Sequence, residues 1–208
     1  MEDLILFGGG GHCRSCIDVI ETENIFRIAG IVDIKEKLHQ KVLGYEIFTT
    51  EDDLPGLVKK FRYFFITIGQ IESAAVRIDK FNRLKELDAV FPVIISPRAH
   101  VSKHSVINEG TIIMHNVIVN AGAQIGRNCI INTGAIIEHD VVIGDHCHIS
   151  TAAVINGGTK IGAETFIGSN SATKQYIGIG EGVFAKSGVT VPFDIRAYSK
   201  YPPKKDKN

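Results

Sequence analysis

A histidine between two carboxylates is the most reactive arrangement this chain offers. Residues 138–140 read Glu-His-Asp, so His139 has an acid on each side. A carboxylate bonded to one imidazole nitrogen fixes the tautomer and raises the basicity of the other, which is what a general base needs. Glu138 and Asp140 compete for that role. The neighbouring histidines, His100, His104, His115, His146 and His148, have no such frame and each reads more simply as a residue on an outward face. A second chemical feature lies near the start, where Gly8-Gly9-Gly10-Gly11-His12 ends the apolar run Leu4 to Phe7. This is a strand, a glycine turn and a helix in succession, and what singles the turn out is its place at a strand's carboxyl end. Asp33 follows about twenty residues later, where an acid meets a ribose or base in nucleotide-binding βαβ units.

The elements that hold His139 are set by a repeat of period six. An aliphatic residue recurs from Val101 through Ile107, Ile113, Val119 and Ile125 onward, and 14 of the 16 sites up to Val191 are Val or Ile. Thr173 and Ala185 are the exceptions. Period six fits neither the 3.6 of a helix nor simple strand alternation, but it fits three short strands joined by tight turns, with eighteen residues to a triangular coil. Four residues after each aliphatic comes a column of mostly small residues, including Ala123, Cys129, Ala135, Cys147 and Ala153, as a narrow packed interior demands. Gly126, Gly144, Gly162, Gly168 and Gly180 directly follow aliphatic sites, where coil corners crowd the backbone. Cys129 and Cys147 are eighteen apart in the small column and read as stacked core thiols.

The first half is a different unit. Strands are expected at Leu4–Phe7, Ile28–Val32, Tyr45–Phe48 and Tyr63–Ile68, with helices after the glycine turn and over residues 51–60 and 73–88. In the last of these Val76, Phe81, Leu84 and Leu87 form the apolar face. Alternation of strand and helix predicts a small parallel sheet with a ligand crevice at the carboxyl ends of its strands, where Gly8 to His12, Asp33 and Gly69 converge. Val90–Ile95 reads as a last strand, and Ser96-Pro97 as a hinge. The expected organisation is an α/β Rossmann-like nucleotide-recognition domain over residues 1–96 and a β-prism over 97–208.

Composition removes several classes. Lys plus Arg and Asp plus Glu number 23 each, so no net positive field attracts nucleic acid. No apolar stretch reaches the roughly 20 residues that span a bilayer, and Met1-Glu2-Asp3 lacks the basic start of a signal peptide. A cytoplasmic location without membrane insertion is expected. Four cysteines are too few for a disulfide scaffold in 208 residues.

These residues together resemble a known family, the bacterial hexapeptide-repeat sugar acyltransferases, which include UDP-N-acetylbacillosamine-type N-acetyltransferases and sialic acid O-acetyltransferase-like proteins. The resemblance covers nearly the whole chain. Asn132-Thr133-Gly134-Ala135-Ile136-Ile137-Glu138-His139-Asp140, with Val142-Ile143-Gly144 and His148 after it, is similar to the family's catalytic segment. The resemblance implies a left-handed parallel β-helix, a homotrimer with active sites between neighbouring prisms, acetyl-CoA as co-substrate and no metal. It further implies His139 as the base oriented by Asp140, and an acetyl-CoA groove lined by His148, Gly157, Ser169 and Ser187. Gly10, Gly11, His12, Asp33 and Gly69 resemble the positions that hold a nucleotide-linked amino sugar, with the pyrophosphate near the glycine turn.

This chain departs from the family in three places. Ile34 stands where the bacillosamine-type enzymes have a second acid, Gly10 where they have a serine, and Lys200-Tyr201-Pro202-Pro203-Lys204 where the family often has Gly-x-Pro-Ala-Lys. The activity implied is direct acetyl transfer to a sugar amine in surface-glycan biosynthesis. The rivals are sialic acid O-acetylation, a non-enzymatic nucleotide-sugar-binding trimeric scaffold, and a gamma carbonic anhydrase-like metalloenzyme. The last expects two histidines five apart, whereas the spacings here from His139 are seven to His146 and nine to His148.

Overall fold

The computed structural model describes residues 1–203; Lys204, singled out in the C-terminal segment, lies outside the described residues. The first unit runs β1 (Glu2–Phe7), α1 (Gly11–Glu23), β2 (Phe26–Val32), β3 (Lys41–Val42), β4 (Tyr45–Thr49), α2 (Leu54–Lys60), β5 (Tyr63–Ile66) and α3 (Ala75–Lys85). Its sheet has the order β3-β4-β2-β1-β5, with β1, β2, β4 and β5 parallel. Leu4, Ile5, Leu6 and Phe7 are all buried, as a central parallel strand covered on both faces requires. The chain leaves β1 toward β2 on one side, while β5 lies on the other, which opens a crevice at the carboxyl end of β1.

The second unit is a three-faced parallel β-helix. Up to Val191 each strand pairs with the strand eighteen residues further on, as Ile118 with Ile136 and Ile130 with His148, and the last coil is two residues shorter, with Phe184 pairing with Lys200. The three faces hold six, five and seven strands. Aliphatic sites such as Ile137 and Ile155 and small sites such as Ala135 and Ala153 share the interior, all buried. A Cβ on Gly162 would come within 2.5 Å of the Glu181 amide nitrogen, so the glycines after the aliphatic column are required by coil-to-coil contact. Cys129 and Cys147 are buried, each thiol pointing at the carbonyl of a corner glycine, Gly144 and Gly162.

Two expectations need correction. Val90–Ile95 is not one strand: Val90 bridges Tyr63 at the edge of the first sheet, while β6 (Ile94–Ile95) already pairs with Ile112–Ile113 of the prism. The prism therefore begins before residue 96, because Pro92 cannot continue a ladder that needs its amide. On α3 the inward face is Arg77, Phe81 and Leu84, and Val76 points outward at 58% exposure.

Arg77 is inward because it bolts the two units together. It is 2% exposed, and its guanidinium donates to the backbone carbonyls of Asn128 and His146 at prism corners and to Gln70 Oε1. No carboxylate is among those partners; burial lowers its pKa to about 10, which leaves it charged at neutral pH. Around it lie three histidines kept neutral chiefly by burial, His12 near pKa 3 and His146 and His148 near 4. His148 is buried under the first unit, with Nδ1 2.7 Å from the Gln70 carbonyl and its ring edge-on to Phe166.

Arg77→Ala leaves three acceptors without their donor and should lower stability by roughly 3 kcal/mol or more in urea unfolding; a loss below about 1 kcal/mol contradicts the bolt. The junction also sets acid sensitivity. The unfolded chain binds protons at these histidines below their ordinary value of 6.5, whereas the folded chain does not until about 4, so stability is present above 6.5 and falls as pH drops. Denaturation midpoints should fall between pH 6.5 and about 5, by up to about 1.4 kcal/mol per unit for a fully buried ring. A flat profile there contradicts the burial.

Candidate functional site

The crevice at the strand ends is lined by Phe7, Gly8 and Gly10 after β1, Asp33 and Ile34 after β2, and Ile68 after β5, and has a volume of about 290 Å³. Asp33 organises it. Its Oδ2 accepts from the Gly9 amide at 2.6 Å and from Lys37 Nζ at 2.9 Å, and its Oδ1 from the Ile34 amide at 2.7 Å. Burial raises the Asp33 pKa, but the Lys37 ammonium and the two amides outweigh it and hold the carboxyl below its ordinary range. Asp33 is thus ionised and shapes the glycine turn that opens α1 at Gly11. Lys37, Lys80 and Glu51 also face the crevice, and Lys80 donates to Glu51 at 2.6 Å. Each lysine is paired with a carboxylate, Asp33 or Glu51, and both stand near the helix N-terminus, whose free amides favour an anion.

His12 and Gly69 sit behind this turn. A Cβ on Gly69 would lie 3.4 Å from the His12 Cβ, and the His12 ring is 6.5 Å from that of His148. His12 Nε2 is buried without a hydrogen-bond partner. Of the expected acceptor-binding residues, Gly10 and Asp33 therefore face the crevice directly, Gly11 starts the exposed end of the helix, Gly69 is exposed, and His12 is half-buried beside it, on the side of the prism's His148.

His139 stands elsewhere. It lies at the edge between the six-stranded and five-stranded faces, between strands Ile136–Ile137 and Val142–Ile143. Its side chain is 52% exposed and Nδ1 is 3.0 Å from Asp140 Oδ2. A carboxylate only accepts, so Nδ1 carries the proton and Nε2 keeps its lone pair free. The competition between the two acids is settled by geometry, because Glu138 instead accepts from Asn120 Nδ2 at 2.9 Å. The ring lies flat on Gly157: a Cβ there would be 2.5 Å from Nε2. Gly157 thus makes room for the His139 ring, which spacing did not show.

The other expected cofactor residues do not join His139 within one chain. Ser169 and Ser187 lie eighteen apart at the corner between the seven-stranded and six-stranded faces, with Ser169 Oγ 2.9 Å from Ser150 Oγ. His148 is on the seven-stranded face, 7% exposed beneath the first unit, and does not border an open groove of its own chain. The imidazoles of residues 139, 146 and 148 occupy different corners and faces, and among the described residues no three His, Cys, Asp or Glu side chains gather as metal ligands.

Comparison with known proteins supplies the context. Residues 3–84 match the PglD N-terminal domain family, and residues 122–157 match the bacterial transferase hexapeptide family. A UDP-N-acetylbacillosamine N-acetyltransferase of Bacillus subtilis (strain 168) is 33% identical over 120 residues, 55% of this chain and 52% of that protein. The chain spans about half the length of that curated relative. A perosamine N-acetyltransferase from Caulobacter crescentus, a histidine-to-asparagine variant in complex with CoA and GDP-perosamine, superposes with a TM-score of 0.90 at 26% identity, covering 100% of this chain and 98% of that one. The acetyltransferase domain of PglB from Neisseria gonorrhoeae, in complex with acetyl coenzyme A, gives 0.84 at 27% identity over 98% of each chain. The three-faced prism is accordingly a left-handed parallel β-helix. With a match to the PglD N-terminal domain family joined to a match to the hexapeptide family, the chain is similar in both units to bacterial hexapeptide-repeat transferases.

Proposed function

We propose that the protein transfers the acetyl group of acetyl-CoA to the amine of a nucleotide-linked amino sugar, in the cytoplasm, for surface-glycan biosynthesis. The observation that carries this reading is the His139–Asp140 pair, an exposed imidazole with Nδ1 tied to a carboxylate and Nε2 unencumbered. Support comes from the fold shared along the whole chain with a transferase solved with CoA and GDP-perosamine.

The chemistry is a single displacement. The sugar amine attacks the thioester carbonyl carbon while its proton passes to His139 Nε2. As the new C–N bond forms, the C–S bond breaks and the thiolate leaves, taking a proton back from the imidazolium. Asp140 keeps the ring in the reactive tautomer and stabilises its transient charge.

Within one chain the nucleotide crevice and His139 cannot meet. The first unit covers the seven-stranded face, and His139 is on the edge opposite that face. The acceptor held by one copy is therefore attacked with the help of His139 from another, in the trimer the family resemblance implies. The outer residues Ile118, Ile136, Val154 and Ala172 of the six-stranded face give that contact an apolar strip. Ser169 and Ser187 of one copy and Gly157 of the next would then border the groove that takes acetyl-CoA, with His148 behind it.

Release of free thiol from acetyl-CoA, followed with GDP-perosamine, a UDP-4-amino-4,6-dideoxy sugar and sialic acid, tests the reading. Turnover with an amino sugar is expected, reduced in His139→Ala by about 10²–10⁴-fold. Wild-type turnover in that variant overturns the assignment, and turnover with sialic acid alone overturns the amine acceptor. Gly157→Ala should displace the ring and lower kcat by roughly tenfold or more, with a smaller effect on the KM for the amino sugar.

A further inference from the structure

A second crevice, of about 340 Å³, lies between α1 and a prism corner and is lined by Arg14, Ser15, Asp18, Met114, His115 and Thr133. Its wall contains a directed hydrogen-bond chain. Ser96 Oγ accepts from the Arg98 amide at 3.0 Å and lies 2.6 Å from His115 Nδ1, and His115 Nε2 lies 2.7 Å from Asp18 Oδ2. The carboxylate can only accept, so in the neutral ring Nε2–H donates to Asp18 and Nδ1 accepts the Ser96 hydroxyl proton.

This Ser-His-Asp set has the partners of a hydrolytic triad but not the exposure. Ser96 is 0% exposed and its oxygen is already engaged by an amide, so no carbonyl can reach it. The open end is the carboxylate: the Asp18 side chain is 66% exposed and His115 only 14%. The chain therefore fixes an acceptor group at the mouth of a crevice, and Asp18 Oδ1 has no hydrogen-bond partner among the described residues.

Position supplies the ligand. The nucleotide crevice reaches α1 at Gly10, while the second crevice borders the same helix at Arg14, Ser15 and Asp18, the next turn along. A diphosphate on the amides between them sends its nucleoside to one side and its glycosyl group to the other. We propose that the second crevice seats the sugar ring of the acceptor. Asp18, positioned by His115, accepts from the ring's hydroxyl or amine groups, and Thr133 offers a hydroxyl from the facing corner. This inference rests on the nucleotide-sugar reading above and adds the subsite that tells one sugar from another.

The test compares dissociation constants of GDP-perosamine with GDP, and of a UDP-4-amino-4,6-dideoxy sugar with UDP, for wild type, Asp18→Ala and His115→Asn. Wild type should bind the nucleotide sugar more tightly than the bare nucleotide. Asp18→Ala should shrink that advantage by about tenfold, the loss of one hydrogen bond to a charged group. It should leave binding of the bare nucleotide, the KM for acetyl-CoA and the melting temperature unchanged, and raise the KM for the sugar more than it lowers kcat. His115→Asn should show the same pattern, more weakly. Equal weakening of nucleotide and nucleotide sugar, or an unchanged advantage in Asp18→Ala, overturns the sugar subsite alone. Failure of the wild type to bind either nucleotide sugar overturns the proposed function together with it.

Discussion

As far as Val191 one coil of the prism takes eighteen residues, and that count decides which way each side chain of those coils points. Each strand residue hydrogen-bonds to the residue one coil away, as the Ile136 amide to the Ala153 carbonyl at 2.9 Å and the Glu138 amide to that of Ile155 at 2.9 Å. An insertion of one residue would turn an inward isoleucine outward and break the ladder on all later coils. The same constraint places Gly157 one coil beyond His139, against its ring, and so makes room for that imidazole. A reactive imidazole at an exposed corner would otherwise sample many rotamers. Here a glycine leaves room for the ring and a carboxylate beside it holds Nδ1 at 3.0 Å.

The second determinant is the docking of the first unit on the seven-stranded face. Arg77 reaches corner carbonyls on successive coils, Asn128 and His146, while Gln70 joins it to the Glu164 carbonyl on the next. Burying a guanidinium without a carboxylate is costly, and the cost is offset here in part because carbonyls fixed by the coil register and Gln70 Oε1 accept from its two terminal nitrogens, while Nε has no partner among the described residues. This docking fixes the nucleotide crevice relative to the prism and at the same time turns it away from His139 of the same chain. The dependence of the proposed site on a second copy follows from packing within one.

Features carried by neighbouring residues or by regular spacing were legible in the sequence. The period of six, the corner glycines, the stacked cysteines and the His139 setting all depend on residues at fixed short offsets, and the structure keeps them. What spacing assigns is a face, not what covers it. His148 shares the outward register of Ile130 and Phe166, and its burial comes only from the first unit folding over that face. Arg77 on a helix reads as a solvated charge, and its partners on the prism are 51 and 69 residues away. The link between Asp18 and His115 spans 97 residues, and no local pattern announces it.

The central claim, that the acceptor crevice and the base act across two copies, is tested most directly by subunit mixing. His139→Ala and a crevice variant such as Asp33→Ala, each without turnover, are unfolded together, refolded and assayed for thiol release with an amino-sugar nucleotide. Sites that draw the crevice from one copy and the base from the other should restore activity, up to about a quarter of wild type for random assembly of equal amounts. Activity no higher than that of the separate variants, in a mixture shown to contain mixed oligomers, would place both halves in one chain and contradict the account.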